Sequence, residues 1–317
     1  MIYHFSIPEW QQNHLKNALD TTSSFFTQNI QEIDLSLIQD AEIISVFIQD
    51  DVSAQIISKL PKLKLIVTRS TGFDHIDLEE AKKRNILVEN VPGYGSNTVA
   101  EHGFALLLAL TKNTSKINVR TKNLNFEYMD CLGLDLHNKT IGVMGSGRIG
   151  KNMIQIAKGF DMNVLVYDIF KDEFLAESLN FKYVELDYLI QNSDIISLHL
   201  PLLPETKHIL NQEKLKLAKS GSYLINVSRG ELIANQDLAW ALDQGIFAGV
   251  ALDTLDGEKD MFKNGATELQ AKILKDERVI YTPHSAYYTK EALQRILDQT
   301  AQNILNFKKG TESNVVR

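Results

Sequence analysis

The chain has 317 residues, 44% apolar and 23% charged, and a formal net charge of −7. That length allows two domains with sizeable cores, and the acidic balance argues against nucleic acid or an anionic membrane as a main partner. One cysteine, Cys131, excludes an intrachain disulfide and fits a reducing, cytoplasmic compartment. The opening MIYHFSIPEWQQNH has neither the basic start nor the long apolar stretch of a signal peptide. The strongest apolar run, 104–110, is too short to cross a bilayer.

In chain order, residues 1–97 alternate apolar runs with polar helical patterns. The runs predict strands over 2–7, 42–48, 63–68 and 86–89, with helices such as 8–20 and 78–84 between them. Such alternation implies a parallel sheet. Ser96-Asn97-Thr98 reads as a helix start, with Ser96 or Asn97 as N-cap. The helix that follows, 99–112, is apolar nearly all round, so it is buried on more than one side. An interdomain or subunit interface would explain that, and so would an internal core helix. A second α/β unit runs over 98–283, with strands predicted at 141–144, 164–167, 181–184, 195–200, 223–227, Phe247–Leu252 and Val279–Tyr281. A helix over 289–308 closes the chain, its apolar positions recurring at helical spacing.

The most informative stretch is 140–168, which reads as strand, tight turn, helix, strand, acid. Its turn is Gly145-Ser146-Gly147-Arg148-Ile149-Gly150, and Asp168 follows 18 positions after Gly150. Glycines at this spacing let a backbone approach a pyrophosphate, and the helix N-terminus faces the phosphates with a positive dipole end. Asp168 stands where a carboxylate accepts hydrogen bonds from the adenosine ribose. It favours NAD over NADP, because a 2′-phosphate would face it and no Arg occurs among Ile169, Phe170 and Lys171.

Ligands of open α/β sheets bind beyond the carboxyl ends of the strands. Four later strand ends carry polar groups: His199; Asn226 with Arg229; Asp253 with Glu258 close behind; and His284. Arg229, Glu258 and His284 make chemical sense facing a nicotinamide. Arg229 can meet a carboxylate through a fork of two hydrogen bonds and polarise the adjacent carbonyl. His284 can supply a proton, and Glu258 can orient the ring and stabilise its imidazolium form. His199 and Asn226, at strand ends of the same sheet, are cofactor-binding candidates without a proton role. His102 reads as a structural histidine. No histidine shows metal-ligand spacing, so no metal site is expected. Cys131 lacks an evident activating neighbour.

These pieces resemble the D-2-hydroxyacid dehydrogenases over essentially the whole chain. The matching motifs are GSGRIG with Asp168, NVSRGELI at 226–233, GVALDTLDGE at 249–258, TPHSAYYT at 282–289, RSTGFDHID at 69–77 and NVPGYGSNTVAEH at 90–102. The resemblance implies two doubly wound parallel-sheet domains: a Rossmann NAD-binding domain, 98–284, inserted in a flavodoxin-like substrate domain, 1–97 plus 285–317. It implies Arg229 as substrate-binding, Glu258 as partner of the histidine and His284 as acid/base. It also implies Thr71 and Gly72 on the substrate carboxylate, Asp253 on the nicotinamide amide, a substrate cleft between the domains, and a homodimer.

GEKDMF at 257–262, the doublet Tyr287-Tyr288 and Tyr94 look most like the D-lactate dehydrogenase branch, which makes Tyr94 and Tyr287 substrate-binding candidates. Two departures border the site: Gly95-Ser96 where Ser-Pro is common, and Leu255-Asp256 where Tyr-Glu is common. The expectation is NADH-dependent, reversible reduction of a short 2-oxo acid to the D-2-hydroxy acid, pyruvate and D-lactate first. The alternatives are the same chemistry on a branched or aromatic acid, glyoxylate or hydroxypyruvate, or a dinucleotide-sensing, corepressor-like binding protein.

Overall fold

The computed structural model describes residues 1–19 and 22–316. The chain forms two compact units: Met1–Tyr94 with Tyr288–Arg317, and Gly95–Tyr287. Each is built on one parallel sheet.

The first unit has five strands: β1 Ile2–His4, β2 Ser23–Phe25, β3 Ile43–Val46, β4 Leu65–Thr68 and β5 Leu87–Glu89. Their order is β2-β1-β3-β4-β5, every pair parallel, which is the flavodoxin-like arrangement. The central strands read as unbroken apolar runs because helices cover both faces, and β1, β3 and β4 are buried throughout. The helix expected over 8–20 spans Glu9–Leu19, and Asp20 lies outside the described residues. The closing helix, Lys290–Lys308, sets Leu297, Ala301 and Ile304 into one cluster with Ile2, Ile7 and Leu15. Arg69, 2% exposed, donates to the carbonyls of Phe5, Ser6 and Ser45 and ties the carboxyl ends of three strands together. Strand β2 was not expected. It is three half-buried residues, two of them serine, and so has no apolar run to betray it.

The second unit has seven strands: β6 Thr140–Met144, β7 Asn163–Tyr167, β8 Lys182–Tyr183, β9 Ile195–Leu198, β10 Ser222–Asn226, β11 Phe247–Leu252 and β12 Val279–Tyr281. Their order, β12-β11-β10-β9-β6-β7-β8, reverses direction between β6 and β9, the switch point of a dinucleotide-binding sheet. The register places Met144, Leu198, Asn226, Leu252 and Tyr281 in one row across the sheet. The residues just after that row therefore share the carboxyl edge: Gly145, His199, Val227, Asp253 and Thr282.

The apolar helix expected over 99–112 runs Ser96–Thr111, with Gly95 rather than Ser96 or Asn97 at its N-cap. It buries Ala100, Phe104, Leu106 and Leu107 in one core with Ile141, Val143, Met153 and Ile154, so its own unit accounts for its burial. Large exposed apolar side chains occur instead further on, at Val119, Leu124, Phe126, Tyr128, Met129 and Leu132. Among the described residues, no helix is long and apolar enough to cross a membrane.

Candidate active site

At the head of the second sheet, the turn after β6 makes a cradle. Gly145 is left-handed at φ +100°, and its N–H donates to Tyr167 O at 2.8 Å. A Cβ on Gly150 would lie 1.9 Å from Gly145 O, so only glycine lets the helix Arg148–Gly159 start this close to the strand. A Cβ on Gly147 would meet nothing within 4 Å, so the space above the turn is open. Arg148 and Ile149 form the helix's first turn, whose N–H groups have no intrahelical partner. At the end of β7, Asp168 Oδ2 accepts from Ser146 N at 2.7 Å and Ser146 Oγ at 2.9 Å, while Oδ1 accepts from Phe170 N at 3.0 Å. An open approach to the turn, a helix N-terminus and a fixed carboxylate together fit a dinucleotide. His199 lies beneath this turn. Burial lowers its pKa to about 3, so its ring is neutral. Its Nε2 meets Ser197 Oγ at 2.8 Å, and Nδ1 is enclosed without a hydrogen-bond partner among the described residues.

Further along the same edge, three turns come together. After β10, Asn226 Nδ2 donates to Arg229 O at 2.8 Å and Asn226 Oδ1 accepts from Ser228 N at 3.1 Å. These bonds fold the Asn-Val-Ser-Arg turn back on its strand and present Arg229, which is half-buried. After β11 come Asp253 and the turn to Glu258. A Cβ on Gly230 would lie 2.1 Å from Leu255 C, so the Arg229 turn and the Glu258 turn rest directly on one another. After β12, His284 Nδ1 meets Glu258 Oε1 at 2.5 Å, and Glu258 Oε2 accepts from Leu255 N at 3.1 Å. The ring's other nitrogen, Nε2, is thus left for a ligand.

Asp253, 1% exposed, organises the histidine loop. Its carboxylate accepts from Thr282 Oγ1, from Ser285 N at 3.0 Å and from Ala286 N at 3.0 Å. His284 itself is left-handed at φ +50°, a conformation held by its N–H bonds to Asp253 O and Thr282 O. His102 Nε2 bonds Thr282 Oγ1 at 2.9 Å, which braces the same loop. Burial first, then the charges of Glu258 and Asp253, push the Tyr281 phenol above its ordinary value. Tyr287, half-buried, follows this loop in the same unit.

Thr71, Gly72 and Tyr94 belong to the first unit. Thr68 Oγ1 meets Ser70 Oγ at 2.6 Å, and Ser70 Oγ donates to Gly72 O at 2.6 Å, shaping the turn after β4. Thr71 Oγ1 donates to Val91 O at 3.0 Å, and Tyr94 O accepts from Arg295 Nε at 2.7 Å. Among the described residues, no group of three His, Cys, Asp or Glu side chains could hold a metal. Cys131 is 8% exposed; Arg120 Nη1 lies 3.5 Å from its sulfur, and Asp130 holds that guanidinium through both nitrogens. Ser146 and Tyr183 beside Asp168 were not singled out from the sequence. Ser146 was visible inside the glycine motif. Tyr183 lies on β8, far along the chain, and nothing local marks it.

Residues 104–286 match the D-isomer specific 2-hydroxyacid dehydrogenase, NAD binding domain. The chain is 32% identical over 317 residues to the D-lactate dehydrogenase of Escherichia coli (strain K12), covering 96% of each. It is 32% identical over 284 residues to a glyoxylate reductase of Korarchaeum cryptofilum, covering 88% of this chain and 83% of that one. Its structure superposes with a TM-score of 0.90, at 39% identity, on a D-lactate dehydrogenase from Aquifex aeolicus complexed with NAD and lactic acid, covering 98% of this chain and 96% of the other. The chain belongs to the D-isomer specific 2-hydroxyacid dehydrogenase family. It is an NAD-dependent D-2-hydroxyacid dehydrogenase, similar to D-lactate dehydrogenases.

Proposed function

We propose that the chain reduces a short 2-oxo acid with NADH to the D-2-hydroxy acid, reversibly, and that pyruvate and D-lactate are its pair. The observation that carries the reading is the 2.5 Å pairing of His284 Nδ1 with Glu258 Oε1 beside the turn of Arg229. Arg229 binds the substrate carboxylate through its two-pronged guanidinium and draws electron density from the adjacent carbonyl. Glu258 fixes the imidazole by Nδ1, so Nε2 is the atom that gives its proton to the forming hydroxyl and takes it back in the reverse direction. Bound NADH supplies the hydride that the 2-oxo carbon accepts.

Gly145, Gly147, Arg148, Ile149 and Gly150 hold the pyrophosphate and Asp168 the ribose. His199, Asn226 and Asp253 line the rest of the cofactor site. The proposal extends to Thr71, Gly72, Tyr94 and Tyr287 as substrate-binding residues. It takes 98–284 as the NAD-binding domain and 1–97 with 285–317 as the substrate domain.

Pyruvate is favoured by the tyrosines and by similarity to D-lactate dehydrogenases, while the glyoxylate reductase at comparable identity makes glyoxylate the first competitor. The test is NADH oxidation with pyruvate, hydroxypyruvate, glyoxylate, 2-oxoisocaproate and phenylpyruvate. Preference for pyruvate with a D-configured product supports the reading. Preference for a bulky acid or glyoxylate keeps the chemistry and changes the substrate. NADH binding without turnover of any of them favours a sensor. A homodimer is part of the proposal, with the exposed apolar segment 119–132 as its interface, and a monomer by sedimentation would refute it. The single cysteine supports a reducing, cytoplasmic setting.

A further inference from the structure

The turn that carries Glu258 is gripped from outside the site. Asp256 O accepts two amide hydrogen bonds, from Asn235 Nδ2 at 2.9 Å and from Gln270 Nε2 at 2.9 Å. Gln270 is 4% exposed and sits in the helix Glu268–Lys275. Its Oε1 accepts from Thr267 N at 2.9 Å and lies 3.1 Å from Thr267 Oγ1, as the capping box of that helix. One end of the amide therefore caps its own helix and the other holds the Glu258 turn. Between Asp256 and Glu258 stands Gly257, left-handed at φ +73°, and a Cβ there would lie 3.3 Å from Gln270 Nε2. A shift of the Asp256 peptide is thus transmitted through one tight residue to the carboxylate that meets His284.

We propose that Gln270 is a positioning residue for the reaction: its hydrogen bond to the Asp256 carbonyl holds the Glu258 carboxylate in register with His284. The proposal rests on the roles given above to Glu258 and His284, and Gln270 itself touches no reacting group. The chemistry demands an amide. A carboxylate at this position keeps the acceptor that caps the helix but offers Asp256 O no donor. A protonated carboxyl offers one again. The ionisable groups on the turn are Asp256, whose Oδ2 lies 3.5 Å from His208 Nε2, and Glu258 with its partner His284.

The test compares Gln270→Glu, Gln270→Ala, Asn235→Asp and Glu258→Gln with the unaltered protein. It measures kcat, KM, NADH affinity by fluorescence, melting temperature and the pH profile of the kcat ratio. In Gln270→Glu, kcat is expected to fall about tenfold near pH 8, with KM and NADH affinity changed less than about twofold. That loss should shrink as pH falls, because burial raises the introduced carboxyl above the ordinary carboxylate range and it regains its proton in mild acid. In Gln270→Ala the loss should persist at every pH. Asn235→Asp, which removes the companion donor and leaves the helix cap alone, should lower kcat by about threefold. Full kcat in folded Gln270→Ala and Asn235→Asp, even with lowered melting temperatures, would overturn the positioning role while an impaired Glu258→Gln leaves the site assignment standing. Full kcat in Glu258→Gln would instead overturn that assignment.

Discussion

Tyr183 Oη lies 3.0 Å from Ser146 Oγ. The hydroxyl hydrogen of Ser146 is committed to Asp168 Oδ2, so Tyr183 is the donor, and Tyr183 in turn accepts from Asp172 N at 3.1 Å. A chain of donors therefore runs from β8 to the carboxylate proposed to hold the ribose. Removing its first hydroxyl should loosen that carboxylate. Tyr183→Phe is expected to weaken NADH binding about threefold to tenfold, the worth of one such bond, and to change NADPH binding less. Fluorescence titration with each dinucleotide checks this, and unchanged NADH affinity would show the chain to be idle.

His284→Gln keeps a side chain of similar reach on the same loop but no titrating ring. Turnover of the preferred acid should fall about 10²- to 10⁴-fold with NADH affinity retained. Stopped-flow NADH oxidation alongside a binding titration separates the two effects. Unaltered turnover would remove His284 from the acid/base role.

What could be read from the sequence follows from how locally each feature is written. The parallel sheets and the Gly145–Gly150 turn were legible because apolar runs and glycine spacing record backbone constraints within a few residues. The strand-end placement of Arg229, Glu258 and His284 followed once the strands were in place. Strand β2 escaped because a half-buried edge of serine and phenylalanine carries no periodicity. The start of the helix Ser96–Thr111 was misplaced because the cap is a glycine, which has no side chain to announce it. Tyr183, Asn235 and Gln270 were invisible because each acts on a residue distant in sequence, through contacts that only the folded sheet creates.

Glu89, fully buried on β5, accepts from Ser313 N at 2.9 Å in the stretch of chain that pairs with this edge strand. Burial pushes its carboxyl up from 4.5 to about 7. Between those values the folded protein keeps a proton that the unfolded chain has released. The stability this group contributes is full below 4.5 and is lost as pH rises through 7. Glu89→Gln retains an acceptor for Ser313 N and removes the titration. It should melt roughly 2–4 °C above the unaltered protein near pH 8, with the gap closing near pH 5. Thermal melts across that range decide it, and a constant gap would contradict the titration.

His4 gives the opposite slope. It is fully buried on β1 and stacked on Phe25 with ring centroids 4.7 Å apart, and neither ring nitrogen has a hydrogen-bond partner among the described residues. Burial, helped by the charge of Arg69, lowers its pKa from 6.5 to about 3. The unfolded chain takes up a proton near 6.5 that the folded protein refuses, so this contribution is lost as pH falls from 6.5 toward 3. His4→Leu should flatten the acid limb of the stability curve and, by removing two unsatisfied polar atoms from the core, raise stability at neutral pH by about 1 kcal/mol. Urea melts at pH 5 and pH 7 check both parts. A variant that stays as acid-sensitive as the original would place the sensitivity elsewhere.

Gly230 offers the most direct mechanical test of the site. Its missing Cβ is filled by the neighbouring backbone, with Leu255 C at 2.1 Å, Asp256 N at 2.4 Å and Leu255 O at 2.4 Å from where a methyl would stand. No side-chain rotation can relieve this, because all three atoms are main chain. Gly230→Ala must push the Arg229 turn away from the Glu258 turn, or distort both. The expected cost is about 1–3 kcal/mol of stability, since overpacking here displaces buried backbone. Turnover should fall about 10²-fold, because the proposed substrate anchor, Arg229, and the proposed proton donor, His284, no longer share one geometry. NADH affinity should fall much less than turnover, since the glycine turn at 145–150 follows β6, beyond β9 from the displaced turns. Steady-state kinetics with a dinucleotide titration checks the split. A variant that loses NADH binding and turnover together would show the damage to be general unfolding rather than separation of the two turns.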